Sequence, residues 1–274
     1  MIKGLYIKDS KRQLIVDYMK AVCIIFVVCN HSGLFDKKAP LFLFSIDKAV
    51  PIFMMLSGYV IARTASGERI KEFYLPEKLW RKFVRLTIPT CITFGIYVAL
   101  NFIRREEAIT FVWIMKRFLL GDYGQGAYYY ALMIELLLIS PLIFWMVKEW
   151  EVHGLILIGL FNLLYDIFSS TYGLPTAVYR VLIFRYLLII ALGMYTGLKK
   201  EVKDWLLGLM LIVGVMYIVM PLYWGYDYRI FAYEPWDRTS MIAAFYVFPV
   251  IYILLKHLAE LKISNQMIGG VYLS

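Results

Sequence analysis

Apolar runs of membrane-crossing length recur along this chain, and no other feature limits its fold so strongly. A hydrocarbon layer about 30 Å thick takes roughly 20 residues of helix to cross. Backbone amides find no water inside it, so a crossing segment must satisfy them within its own helix or in a closed barrel. We read eight such runs, near 13–32, 49–63, 86–103, 127–147, 153–169, 179–197, 205–224 and 241–256. The second can begin as early as Leu41, and the tail "LKISNQMIGGVYLS" reads as the opening of a ninth run that stops short at Ser274. The expected fold class is all-α: a polytopic transmembrane helical bundle forming a single integral-membrane domain over 1–274, with about eight complete spans and a truncated C-terminal one. Composition agrees, since 61% of the residues are hydrophobic and the mean hydropathy is +0.68, against roughly 45–50% apolar residues in soluble chains.

The net charge of +9 sorts by loop. With Lys20 and Arg185 set aside inside spans, one set of alternate loops holds 17 Lys and Arg and the other holds 10. The excess predicts a multi-pass protein of the cell (plasma) membrane with its N-terminus in the cytoplasm. Positive charge placed in this way points to membrane lipid as a partner and not to nucleic acid. The first apolar run carries charges and lacks a small-residue cleavage site, so it reads as a retained helix and not as a signal peptide. Cys23, Cys29 and Cys91 sit in apolar spans without metal-like spacing, so neither a disulfide nor a metal site is expected. No Walker-type phosphate loop, CxxC pair or HExxH is present. The segment near 110–120 is short enough to lie at the interface, and "GDYGQG" after it is a turn.

Ionisable groups inside hydrocarbon are costly, so each needs a partner or a task. Asp17, Lys20 and His31 share the first span. Lys20 and His31 are eleven residues apart, about three turns plus 20°, and so lie on one face about 16 Å apart along the axis. Asp17 is one turn before Lys20, and the two can pair. For Lys20 a salt bridge with Asp17 competes with contact to a phosphate or a carbonyl. For His31 an interfacial imidazole competes with proton transfer near neutral pH. Glu135 and Arg185 can neutralise each other across helices or meet a ligand. Arg81, Lys82 and Arg85 precede the third span, where lipid anchoring competes with binding one polyanion between Arg81 and Arg85. His153 and His257 flank helix ends and read as interface residues. Pro51 and the Ser57-Gly58 pair point to a kinked or closely packed second span.

Taken in order, these stretches resemble the membrane acyltransferase 3 family. The basic residue, ten residues and histidine of its first span are met by Lys20 to His31. "PIFMMLSGYVIAR" resembles its P-x-F-F-x-x-S-G stretch, and "RKFVRLTIP" its basic run before the third span. "YYYALMIELLLISPLI", "FRYLLIIALGMYTG" and "MIGGVYLS" are similar to later segments. The resemblance implies a membrane O-acyltransferase with no permanently bound cofactor. It would move an acyl group, acetyl above all, from acyl-CoA as co-substrate to a hydroxyl of a carbohydrate or lipid-linked glycan, as in polysaccharide biosynthesis. His31 would be the catalytic base, with Lys20 and Asp17 beside it. Arg81, Lys82 and Arg85 would hold the coenzyme, and Ser57, Glu135 and Arg185 would meet the substrate. Lys20 stands where the family has arginine, which keeps the charge and loses the planar fork. The family also has more spans than this chain offers, so a C-terminally incomplete form is expected. Homo-oligomerisation stays open. So does a transporter or flippase moving a polar or lipid-linked substrate past the same charges, a reading that an inverted repeat with broken helices in both halves would favour.

Overall fold

The computed structural model describes residues 2–67, 74–104, 108–124, 126–223 and 239–258, with side chains described over 14–65, 74–104, 108–124, 126–220 and 239–257. Helices are the only extended elements among them. They are α1 (Ile2–Ser32), α2 (Pro40–Phe44), α3 (Ala49–Gly67), α4 (Pro76–Arg104), α5 (Phe111–Leu119), α6 (Tyr129–Glu149), α7 (Glu151–Thr171), α8 (Thr176–Val181), α9 (Leu187–Gly197), α10 (Asp204–Tyr223) and α11 (Ala243–Leu258). Short 3-10 turns cover Ile46–Lys48 and Ile183–Tyr186. The all-helical class holds. The count of eight spans is not established, because five helical segments among the described residues are long and apolar enough to cross a membrane. The shorter Ile183–Gly197, Asp204–Met220 and Ala243–His257 occupy the places of the last three expected spans. The tail after Leu258 and the aromatic loop at 224–238 lie outside the described residues.

Glycine sets the centre of the bundle. A Cβ on Gly58 of α3 would strike the carbonyl oxygen of Ile190 on α9, one on Gly193 of α9 would strike that of Met55, and one on Gly197 would sit 2.6 Å from that of Tyr59. Gly193 and Gly197 are one turn apart, so α9 presents a smooth strip along which the α3 backbone lies. In lipid this close approach replaces the hydrophobic drive that water would supply. Met54, Met55, Leu56, Ala62, Ile190, Ala191 and Met194 close the contact, all buried. The apolar window of the α3 segment is 61% buried inside the bundle and that of α4 is 6%. The first is therefore core and the second is rim, packed chiefly against α6.

The sixth expected span is broken. Leu182 is extended (φ −84°, ψ 132°) between α8 and the 3-10 turn that leads into α9. With 11 residues, α9 spans only about 16 Å, so it cannot cross unaided. A break strands amides that a continuous helix would pair, and at membrane depth they need protein acceptors. Two intramembrane side chains supply them. Glu135 Oε2 accepts from the amide of Ile183 at 2.6 Å, and Asn162 Oδ1 accepts from that of Leu188 at 3.2 Å.

Candidate functional site

The face of α1 that carries Lys20 and His31 also carries Ile24 and Val27, at spacings of four, three and four residues. Ile24 and Val27 line a cleft of about 220 Å³ whose other walls are Cys23, Val50 and Phe53 with Gly126, Tyr128 and Tyr129. Lys20 is half-buried at one end of this strip, its Nζ 5.1 Å from the centre of the Phe53 ring. Among the described residues no ion pair joins it to Asp17, which is exposed. His31 is in the last turn of α1, one turn past Val27 on the same face. It is exposed and does not itself line the cleft.

A larger cleft of about 450 Å³ adjoins the first and shares Phe53, Gly126 and Tyr129 with it. Leu86, Pro89, Thr90 and Thr93 of α4 form its far wall. Lys82 continues that α4 strip one turn toward the helix start and is half-buried, whereas Arg81 and Arg85 are exposed. Of the three basic residues, Lys82 thus lies on the cleft side. Arg81 Nε donates to the carbonyl of Glu77 at 3.4 Å. Tyr129 lines both clefts, packs its ring edge-on to Phe53 at 5.1 Å, and has a buried hydroxyl with no hydrogen-bond partner among the described residues. A buried hydroxyl of this kind can donate to a ligand in either cleft.

Tyr123, Gly124, Gly126, Ala127 and Tyr128 form a lip beside the two clefts. Gly121 has φ 59°, and a Cβ there would run into the backbone of Tyr128, so only glycine fits. Asp122 ties the lip down by accepting from Arg180 Nη2 at 2.9 Å and from Arg117 Nη1 at 2.7 Å. The hydrogen bond from Arg180, aided by both guanidinium charges and opposed by partial burial, holds the Asp122 carboxyl below its usual range. Arg180 also lies 6.0 Å above the Tyr128 ring.

Behind Tyr128 sits a second polar cluster. Arg185 is 1% exposed. Its Nη2 donates to the Tyr186 hydroxyl and to Thr239 Oγ1 at 2.9 Å, and the guanidinium lies 4.4 Å from the Tyr186 ring centre and 5.3 Å from that of Tyr179. Tyr179 donates its hydroxyl to Asp166 Oδ1 at 2.7 Å, and the amide of Met241 donates to Asp166 Oδ2 at 3.2 Å. Arg185 and Asp166 thereby clamp the segment leading into α11 to the break in span six. Glu135 does not pair with Arg185, because its carboxylate is taken by the freed amide of Ile183. Ser57 is buried and donates to the Phe53 carbonyl of its own helix at 2.9 Å, and it lines neither cleft.

Sequence reasoning passed over several of these groups. Lys48 is fully buried and bonds Asp47 at 2.8 Å, and Asp47 lies within electrostatic reach of Tyr186. By sequence Lys48 reads as one more loop lysine. The signal was its position, next to Asp47 and inside the apolar stretch "LFLFSIDKAVPIF". Asp166 is visible as a carboxylate in a span, but its partners arrive from two distant segments. Tyr128, Tyr129 and Tyr179 are three of 22 tyrosines, and nothing local distinguishes them.

Membrane-length helices around intramembrane clefts define the class, a helical membrane protein. The family follows: a family model described as an acyltransferase domain matches residues 14–272, nearly the whole chain, and the chain belongs to this acyltransferase 3 family. It is a membrane acyltransferase in the general sense of that family. No curated protein and no solved structure matches it.

Proposed function

We propose that the protein transfers an acyl group, acetyl in the first instance, from acyl-CoA to a hydroxyl of a carbohydrate or lipid-linked glycan. We read it as an eight-pass protein of the plasma membrane with its N-terminus in the cytoplasm. The observation that carries this reading is the alignment of Lys20, Ile24, Val27 and His31 along the cleft side of α1. A helix that lines a cleft with Ile24 and Val27 and carries a cation before them and an imidazole after them suits a long donor that is anionic at its head and reactive at its tip.

In this scheme His31 takes the proton of the acceptor hydroxyl as its oxygen attacks the thioester carbonyl carbon. The new C–O bond forms, the C–S bond breaks, and the thiolate leaving group recovers the proton from the imidazolium. Lys20 cannot share that carbonyl. It lies about 16 Å away along the axis, and both side chains lean toward the same helix end. Lys20 therefore contacts the coenzyme arm, and Lys82, with Arg81 and Arg85 at the mouth, meets its phosphates. Tyr129 is placed to donate to a carbonyl or sugar oxygen in the cleft. Arg185 and Glu135 act at one remove, by fixing Tyr128 and the broken span that back the cleft.

The test is acyl transfer from labelled acetyl-CoA in membranes, with His31→Ala compared to wild type at equal folded protein. Loss of a general base lowers the rate by about 100- to 10,000-fold. Transfer at the wild-type rate would remove His31 from the scheme. Binding of the donor without loss of the thioester would favour the transporter reading.

A further inference from the structure

A second concave site lies away from the clefts, at the membrane end where α6 turns into α7. Its cavity, about 440 Å³, is enclosed by the end of α9, the connector 198–203, the start of α10 and the last turn of α11. Four lysines border it: Lys199, Lys200, Lys203 and Lys256. Glu201 and Asp204 border it too, and Lys200 is paired with Glu151 across from α7. Lys199, Lys203 and Lys256 have no carboxylate partner among the described residues.

Helix ends account for only part of this charge. A lysine past the end of α9, or in the last turn of α11, is favoured by the negative pole of its helix. Lys203 is not, because it immediately precedes α10, at the positive pole of that helix and beside Asp204 of its first turn. Lys199 adds a second anomaly: its φ is 61°, a conformation that glycine usually supplies at this position past a helix end,. The Tyr252 hydroxyl, accepting from the amide of Val202 at 3.2 Å, ties the connector to α11. Trp205 is 66% exposed beside the cavity and Trp150 is 43% exposed at the same end. Exposed tryptophans mark the headgroup level of a bilayer.

We propose that this cavity is a binding site for a phosphate-bearing group, taken from an anionic phospholipid headgroup at the same depth. A phosphate there would meet three ammonium groups, which outnumber the Glu201 and Asp204 carboxylates on the same rim,. Coenzyme phosphates share this chemistry, so the experiment separates the two sources. No lining residue is shared with the clefts, and binding is read without turnover, so failure here leaves the acyl-transfer reading intact and the reverse also holds.

The test uses the purified full-length protein in detergent. Phosphatidylglycerol and phosphatidylcholine are titrated separately by native mass spectrometry, and adenosine 3′,5′-bisphosphate by calorimetry. A lysine facing an anionic headgroup contributes roughly fivefold in affinity, so Lys199→Gln/Lys203→Gln/Lys256→Gln weakens phosphatidylglycerol binding about 100-fold. Phosphatidylcholine binding is unchanged, the triple arginine variant binds like wild type, and Lys148→Gln is neutral. The arginine variant also guards against misfolding as the cause. A loss confined to adenosine 3′,5′-bisphosphate overturns the lipid assignment and gives the site to a soluble ligand. Unchanged binding of both probes by the glutamine variant overturns the site.

Discussion

The bundle holds charge in two places, and they are built in opposite ways. Around Arg185 the groups are turned chiefly toward one another: guanidinium to two phenol rings, to the Tyr186 hydroxyl and to Thr239, phenol to Asp166, carboxylate to backbone amide. Along the α1 cleft they are left open. Lys20 has an aromatic ring and no ion pair among the described residues, His31 is exposed, and the hydroxyl of Tyr129 is buried without a hydrogen-bond partner among them. A closed polar network in a dry interior fixes one conformation. An open one retains capacity to bind something else. On the proposed function, the difference separates residues that hold the fold from residues that would meet a substrate, although both sets look alike as charges in apolar sequence.

Four substitutions press on this contrast. Arg185→Ala should act on folding. It takes a hydrogen-bond donor from buried Tyr186 and Thr239 and the nearby positive charge from Asp166, and breaking such a cluster costs about 3–5 kcal/mol. Thermal unfolding in detergent should show the protein failing to accumulate or melting far below wild type. An unaltered melting curve would move Arg185 into the open class. Lys20→Gln should leave melting unchanged and raise the KM for the acyl donor about 10- to 100-fold, as expected for one lost charge-assisted contact. Steady-state kinetics at several donor concentrations decide it, and a fall in kcat alone would place Lys20 at the chemistry after all.

Tyr129→Phe should be milder, about fivefold in KM or kcat, because it removes one neutral hydrogen bond to a ligand and nothing within the protein. A large drop in stability would show that the hydroxyl is paired in the folded state. The smallest effect belongs to the lip. The Asp122 carboxyl is held below its usual range, so its contribution is complete above the unfolded value. It is lost only as pH falls through the lower folded one. Trp113 fluorescence, which reports on the α5 side of the lip, should stay constant from neutral pH down to the ordinary carboxylate range and change only below it. Asp122→Asn should show the changed signal at every pH. Because Asp122 is partly exposed, added salt should shrink the difference.

Much of the outline was readable along the chain, and much of the site was not. Helical class, membrane residence and the Ser57-Gly58 contact follow from runs of apolar residues and from the small volume of glycine. Those are properties of adjacent residues on one helix. The strip from Lys20 to His31 follows from helical period alone. The break at Leu182 did not, because no proline or glycine stands there to mark it, and what permits the break is Glu135 and Asn162 from other helices. The roles of Glu135 and Asp166 depended on the same kind of distant partner, and the burial of Lys48 on the packing around it. So did the choice of Lys82 over its exposed neighbours as the basic residue on the cleft side, which requires knowing where α4 meets α6.

The sequence by itself determined that this chain is a helical membrane protein of the acyltransferase 3 family, with cation and imidazole on one face of its first span. Hydropathy and helical period act over neighbouring residues, and both are written in the order of amino acids. Tertiary structure decided which charges are sealed and which stay open. That depends on acceptors and donors brought together from segments far apart in the chain, and only packing settles which buried group finds a partner.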